Sequence, residues 1–443
     1  MSSASAGAGS TSSTSVDEIN VREAIERHDV ARLRQLGQQH GFFTTNLRRR
    51  AWPILLRCPS STSSASGSSS PVESAFDASL STSYAHQIKL DVNRSFVHFK
   101  DQLHPSPPAN PTAEPPPSIK ARRQAQLQRI LVRLCARYPF LHYYQGLHDV
   151  CTILLLVLDE HLASKAVENL ALFFLRDAMH TNIEPVMQLM RAILPIIKSE
   201  DRDIYRLLEE CELHPYFCLS WFISWFSHDL REFDKACRLF DLFLSSNPIM
   251  PIYVAAAVVL ERKEDLMELD REYPIVHSFL SKVPQDVPVD TWIQHALRLY
   301  RRYPLATIQG MTGWQFDENC AALRFDTDFP SSPLRTSPPA STIEQLMDSA
   351  SHVAPTNHPD SSGIYAFKPL PLVKRMGRSY VPVDGDAPAL ILITAVAIGV
   401  LSISVGFMQQ RVGGSGAGPT AEEAARSIDV LARVLVLLIQ RGN

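Results

Sequence analysis

The sequence predicts an all-α protein, on three observations. Apolar residues recur at helical spacing, as in Leu127, Ile130, Leu131 and Leu134, and again in Ile204, Leu207, Leu208 and Cys211. Few stretches alternate with the period of two that a half-buried strand requires. At 443 residues, the chain can build a large core without metals or disulfides.

Four segments lack the apolar residues to join that core. They are a Ser-rich tail over 1–16, a Ser-rich insertion over 59–80, a Pro-rich insertion over 104–118 and a linker over 330–386. Between them we expect one helical domain over 17–310. Two runs inside it, 150–158 and 249–260, are strongly apolar but too short to span a bilayer, so each reads as a buried helix. Phe217, Trp221, Phe222, Trp225 and Phe226 are aromatic residues placed to pack against neighbouring helices. Repeats of 20 to 50 residues are not evident, which argues against a solenoid.

Composition excludes several function classes. The 43 basic residues nearly cancel the 46 acidic ones, giving a net charge of −3 and no field to draw in nucleic acid. Seven scattered cysteines form no Cys-x-x-Cys pair, which argues against a disulfide framework and a zinc site and suits a reducing compartment. A phosphate loop, a His-Glu-x-x-His helix, a Gly-x-Ser-x-Gly elbow and the kinase motifs are all missing, so most stand-alone enzymes are disfavoured. His142 and His148 read as capping or core histidines, and no metal or cofactor of the protein's own is expected.

The ends of the chain bear on location. Residues 1–15 have neither a basic start nor an apolar run, unlike a secretory signal peptide, so the N-terminal part is expected in the cytosol. Residues 389–407, ALILITAVAIGVLSISVGF, lie in an uncharged stretch and would extend about 28 Å as a helix, which fits a bilayer core. We expect a transmembrane helix within 387–410. Lys374, Arg375 and Arg378 precede it, which keeps the large N-terminal part cytosolic. An amphipathic helix is expected over 420–441, where Ile428, Leu431, Val434, Leu435, Leu438 and Ile439 form a stripe. It could lie on the far membrane surface, turn back into the bilayer or fold as a lumenal helix.

Three short pieces stand out for chemistry: LRRRAWPILL at 47–56, IKLDVNRS at 88–95 and YYQGLHD at 143–149. Alone, each has a plain structural explanation. In this order, Arg48 with Trp52, then Ile88, Asp91, Arg94 and Ser95, then Tyr143, Gln145 and Gly146, resemble the signatures of the TBC domain of Rab GTPase-activating proteins. WFISWFSHDL and CRLFDLFL, with Trp225, Phe226, Arg238 and Asp241, resemble the second half of that domain, so the likeness covers about residues 40–305. The departures are the long Ser-rich and Pro-rich insertions, which put only loop geometry in doubt.

The resemblance implies a two-lobed helical fold that supplies Arg94 as an arginine finger and Gln145 as a glutamine finger to a Rab with bound GTP and Mg. A guanidinium is planar, always charged and forked, so it can bridge phosphate oxygens. An amide donates and accepts together, so it can hold the attacking water. Partner-binding or site-supporting roles are implied for Arg48, Trp52, Asp91, Ser95, Tyr143, Tyr144, Gly146 and Asp149. Asp91, one helical turn before Arg94, either positions the guanidinium or makes an ordinary surface pair. Trp52 reads as an anchor under the site. Gly146 would allow close backbone approach to the nucleotide or the partner.

With the expected anchor, the chain is similar to the endoplasmic-reticulum subgroup of TBC proteins acting on the ER-to-Golgi Rab. That likeness implies a protein of the endoplasmic reticulum or Golgi that touches membrane lipid through its C-terminal span. The alternative is a membrane-anchored helical adaptor that binds a Rab or another protein without accelerating hydrolysis.

Overall fold

A computed structural model describes residues 10–59, 82–103, 117–331 and 336–350. All regular structure among these residues is helical. Helices α1 (Ser10–Glu26), α2 (Val30–Gln39) and α3 (Thr45–Leu55) open the chain. They are followed by α4 (Ala85–Asn93), α5 (Pro117–Arg137), α6 (Leu147–Val157) and α7 (Glu160–Leu170). Shorter helices then lead to α8 (Phe233–Leu244), α9 (Met250–Leu260), α10 (Val289–Arg302) and α11 (Ala340–Ala350).

Local chemistry starts the helices where side-chain oxygens can take the first free amides. Asp29 accepts from the Arg32 amide ahead of α2, Thr44 from Leu47 ahead of α3, and Asp159 from Leu162 ahead of α7. The two strongly apolar runs are indeed buried helices. α6 and α9 have 11 residues each, about 16 Å of helix, half of what a bilayer requires. In α9 every residue from Met250 to Val259 is buried, the pattern of a helix enclosed on all sides. Its main neighbour is α10.

The second half of the chain folds back onto the first. α8 packs on α2 and α3, and the described residues all fall within one compact unit. Residues 372–443 fall in a second unit that lies outside the described residues. The contact of α8 with α2 needs Gly37, where an added Cβ would sit 1.9 Å from Ser245 Oγ and 2.9 Å from the Asp241 carbonyl.

Several boundaries differ from those expected. α1 starts at Ser10, inside the expected 1–16 tail, and α5 starts at Pro117, inside the expected 104–118 insertion. The domain continues past 310, through Ala321–Asp328, because buried Asp328 pairs with buried Arg176 at 2.9 Å. The linker expected from 330 contains α11, whose Ile343 and Met347 enter the core one helical turn apart. The rest of the 59–80 and 104–118 insertions, the transmembrane helix over 387–410 and the amphipathic helix over 420–441 lie outside the described residues. Among those described, no helix is long and apolar enough to cross a membrane.

Candidate functional site

Asp91 organises the site. It sits in the last turn of α4 with its side chain fully buried, so its carboxylate must be matched by donors. Tyr143 Oη donates to Oδ2 at 2.7 Å, and Gln87 Nε2 donates to Oδ1 at 3.2 Å. Arg94 Nη2 donates to Oδ1 at 2.5 Å, while its side chain remains 51% exposed. The guanidinium is therefore held at its root by a buried charge and presented to solvent. The pair joins a buried carboxylate to an exposed guanidinium one helical turn away. Ser95 is buried and donates its hydroxyl to the Asp91 carbonyl at 3.1 Å, closing the end of α4.

The third sequence piece meets the second at this carboxylate. Burial, then the neighbouring Asp91, push the Tyr143 hydroxyl far above its ordinary pKa, so it stays protonated and donating. Two residues later, half-buried Gln145 lies in the turn that opens α6. Arg94 and Gln145 thus belong to segments tied together through Asp91 and Tyr143.

Gly146 enables the turn. Its φ is +119°, and an added Cβ would lie 3.4 Å from the Ile223 side chain. The glycine answers a backbone and packing demand inside the fold. Tyr144 closes the same junction by donating from Oη to the Ile223 carbonyl at 2.9 Å.

Beneath the turn lies a histidine and carboxylate cluster. His148 is buried and accepts from the Gly146 amide at Nδ1, 3.3 Å, which leaves Nε2 to face Asp149 Oδ1 at 3.3 Å. Burial lowers its pKa, so the ring is neutral with a fixed tautomer. Asp149 also accepts from His228 Nδ1 at 3.0 Å. That bond, against the cost of burial, raises His228 to about 9. Burial would raise the pKa of Asp149, but the bond from His228 and the positive charge of that ring outweigh it and lower the pKa. The cluster lacks the geometry of a metal site, as do other groups among the described residues.

Arg48 and Trp52 have a different role. Both are buried on α3 and bind Asp241 of α8, which is fully buried as well. Arg48 Nη2 lies 3.0 Å from Asp241 Oδ2, Trp52 Nε1 donates to Oδ1 at 2.8 Å, and the Phe42 amide donates to Oδ2 at 3.1 Å. Arg238 of α8 donates to the Gly37, Gln38 and Gln39 carbonyls at the end of α2. The first and fourth sequence pieces therefore lock to each other, as do the second and third. His148, His228 and the partnerships of Asp241 were missed as site elements. The available signal was their position inside YYQGLHD, WFSHDL and CRLFDLFL.

The site thus sets an exposed arginine, braced by a buried aspartate, beside a tyrosine-anchored Gln-Gly turn in a helical fold. The Rab-GTPase-TBC domain family model matches residues 45–267, and the chain belongs to that family. It is 35% identical to TBC1 domain family member 20 of Bos taurus over 280 residues, covering 63% of this chain and 65% of that protein. It is 32% identical to the GTPase-activating protein gyp10 of Schizosaccharomyces pombe over 296 residues, 65% of this chain and 73% of that one. The chain thus spans just under two thirds of the cattle relative. Among solved structures it is similar to the Ypt/Rab-GAP domain of Gyp1p, with a TM-score of 0.48 and 17% identity, over 64% of this chain and 99% of the other.

Proposed function

We propose that this protein is a GTPase-activating protein for a Rab GTPase and completes its partner's active site with Arg94 and Gln145. The carrying observation is the exposed Arg94 guanidinium fixed to buried Asp91, which also holds Tyr143 two residues before Gln145. GTP hydrolysis requires a water in line with the γ-phosphate and a cation against the charge that develops on the phosphate oxygens. In this reading Arg94 is the cation and the Gln145 amide orients the water. The nucleotide and its Mg arrive with the Rab as substrate, and this chain contributes no cofactor. An arginine finger is worth roughly 10³ to 10⁵ in rate, about 4 to 7 kcal/mol, which an exposed ion pair could not supply. Support comes from family membership and from relatives whose names include a GTPase-activating protein.

In the same reading the partner is a Rab GTPase of the early secretory pathway, and the protein sits at the endoplasmic reticulum or Golgi membrane through residues 387–410; the sequence resemblance supports this reading. A C-terminal anchor would raise the effective concentration of a lipid-anchored Rab. Single-turnover hydrolysis across a panel of GTP-loaded Rabs tests the activity. Acceleration of at least one Rab, lost in Arg94→Ala and in Gln145→Ala, is expected. Binding without acceleration would instead identify an adaptor. Membrane fractionation with and without residues 387–443 tests the anchor, and a truncated chain that still sediments with membrane refutes it.

A further inference from the structure

We propose that Ser337 is a phosphorylation site whose phosphate is received by the guanidinium groups of Arg57 and Arg34. Ser337 precedes Pro338, the pair that proline-directed protein kinases modify. It lies in the non-helical stretch leading into α11, with Thr336 and Pro339 exposed on either side. Arg57 Nη1 donates to Ser337 Oγ at 3.0 Å, and its Nη2 donates to the Pro330 carbonyl. Arg34 donates to Ser331 Oγ, and to the Phe329 carbonyl at 3.1 Å.

These two arginines are poorly matched as they stand. Among the described residues their bonds go only to neutral oxygens, and buried Arg34 Nε has no partner. Both lie over one ring, with Arg57 at 4.7 Å and Arg34 at 6.0 Å from the Phe329 centroid. Burial first, then the charge of Arg57, bring Arg34 down to about 10 despite Asp326, and burial lowers Arg57 too. Two desolvated like charges side by side are a standing cost that an anion would relieve.

A cavity of about 920 Å³ opens at this point and is lined in part by Ser337, Arg57 and Phe329. Arg49 and Arg50 line it too, against Glu26 as the sole acidic side chain of the lining, so its charge favours an anion. A phosphoserine brings about −1.5 to −2 charge and three acceptor oxygens, which suit two guanidinium forks. In the reaction, Ser337 Oγ attacks the γ-phosphorus of ATP, a new P–O bond forms and the bridging P–O bond to ADP breaks. The serine proton passes to the kinase's base. The product would staple the start of α11 to Arg34 on α2 and to Arg57 just beyond α3.

The test uses the purified full chain, a proline-directed kinase with ATP, mapping by mass spectrometry, and a phosphorus NMR titration. Phosphate is expected at Ser337, with its second pKa below about 5 rather than the ordinary value of about 6. Arg57→Gln should return it toward 6. Should that variant not fold, Arg34→Gln serves for the same comparison. Failure to modify Ser337 while other Ser-Pro pairs are modified overturns the proposal, as does a pKa that ignores both arginine changes. Saturable binding of inorganic phosphate by the unmodified chain at these arginines, with no incorporation at Ser337, makes this a free-anion site and equally overturns it.

Discussion

Arg94 and Tyr143 donate to opposite oxygens of one buried carboxylate, that of Asp91, at 2.5 and 2.7 Å. The aim of the proposed finger and the placement of the Gln145 turn are therefore set by the same group.

Asp91→Asn keeps the volume but removes the charge and forces one oxygen position to become a donor facing donors. A displacement of about 1 Å at a reacting group can cost about a hundredfold, so single-turnover acceleration should fall by that order. The Tm should also drop, since a mispaired buried polar group costs about 1 to 3 kcal/mol. Unchanged acceleration would detach Asp91 from the function.

Arg94→Lys separates chemistry from folding. A lysine can still pair with Asp91 at this exposed position, so the Tm should move by no more than a few degrees. The guanidinium fork is lost, and acceleration should fall by roughly 10³ or more. Retention of more than a tenth of the wild-type rate would show that point charge alone suffices.

Gly146→Ala tests the turn. The left-handed φ of +119° strains any side chain, and the new methyl meets Ile223. We expect a stability loss of about 1 to 3 kcal/mol by thermal denaturation, together with a lowered hydrolysis rate. A rate loss shared with Gln145→Ala, and not additive with it, would place both effects in the same turn.

How much was legible in advance depended on distance along the chain. Arg94 one turn beyond Asp91 is a local relation, and so is the burial of runs 150–158 and 249–260. The pairing of Arg48 and Trp52 with Asp241 crosses 193 and 189 residues, and that of His228 with Asp149 crosses 79. No periodicity encodes such contacts, since they follow from how elements far apart in the chain dock, as α8 does on α2 and α3. α11 was obscured by the prolines before it, although Ile343 and Met347 carried the i, i+4 spacing that would have revealed it. The Ser-rich composition of the first residues concealed the start of α1 in the same way.

The Asp241 knot should govern stability. Removing the carboxylate with Asp241→Ala leaves the Trp52 N–H and the Phe42 amide without an acceptor, and leaves buried Arg48 with only the more distant Asp234 at 3.8 Å. Breaking a buried pair from one side costs about 3 to 5 kcal/mol, enough to threaten folding, whereas Trp52→Phe loses one donor and some packing. Chemical denaturation should rank Asp241→Ala well below Trp52→Phe, and both below wild type. At a temperature where Trp52→Phe remains folded, its acceleration should stay close to wild type. A selective loss of rate there would move Trp52 from support to contact.

The Asp149 and His228 pair predicts a pH dependence with a definite sign. His228 has a raised folded pKa of about 9, above the ordinary value of about 6.5. Its stabilisation is fully present below about 6.5 and is lost as pH rises through 9. Asp149 is depressed, so its share is present above the ordinary carboxylate range and is lost only as pH falls through its lower folded value. Thermal melts of wild type and His228→Gln should therefore differ most between about pH 5 and 6.5 and converge near 9. Comparing the two proteins at each pH cancels much of the titration they share, including that of Asp229, which burial raises to about 6. A difference that grew with pH would mean that His228 is neutral in the folded protein and that its bond to Asp149 carries no charge.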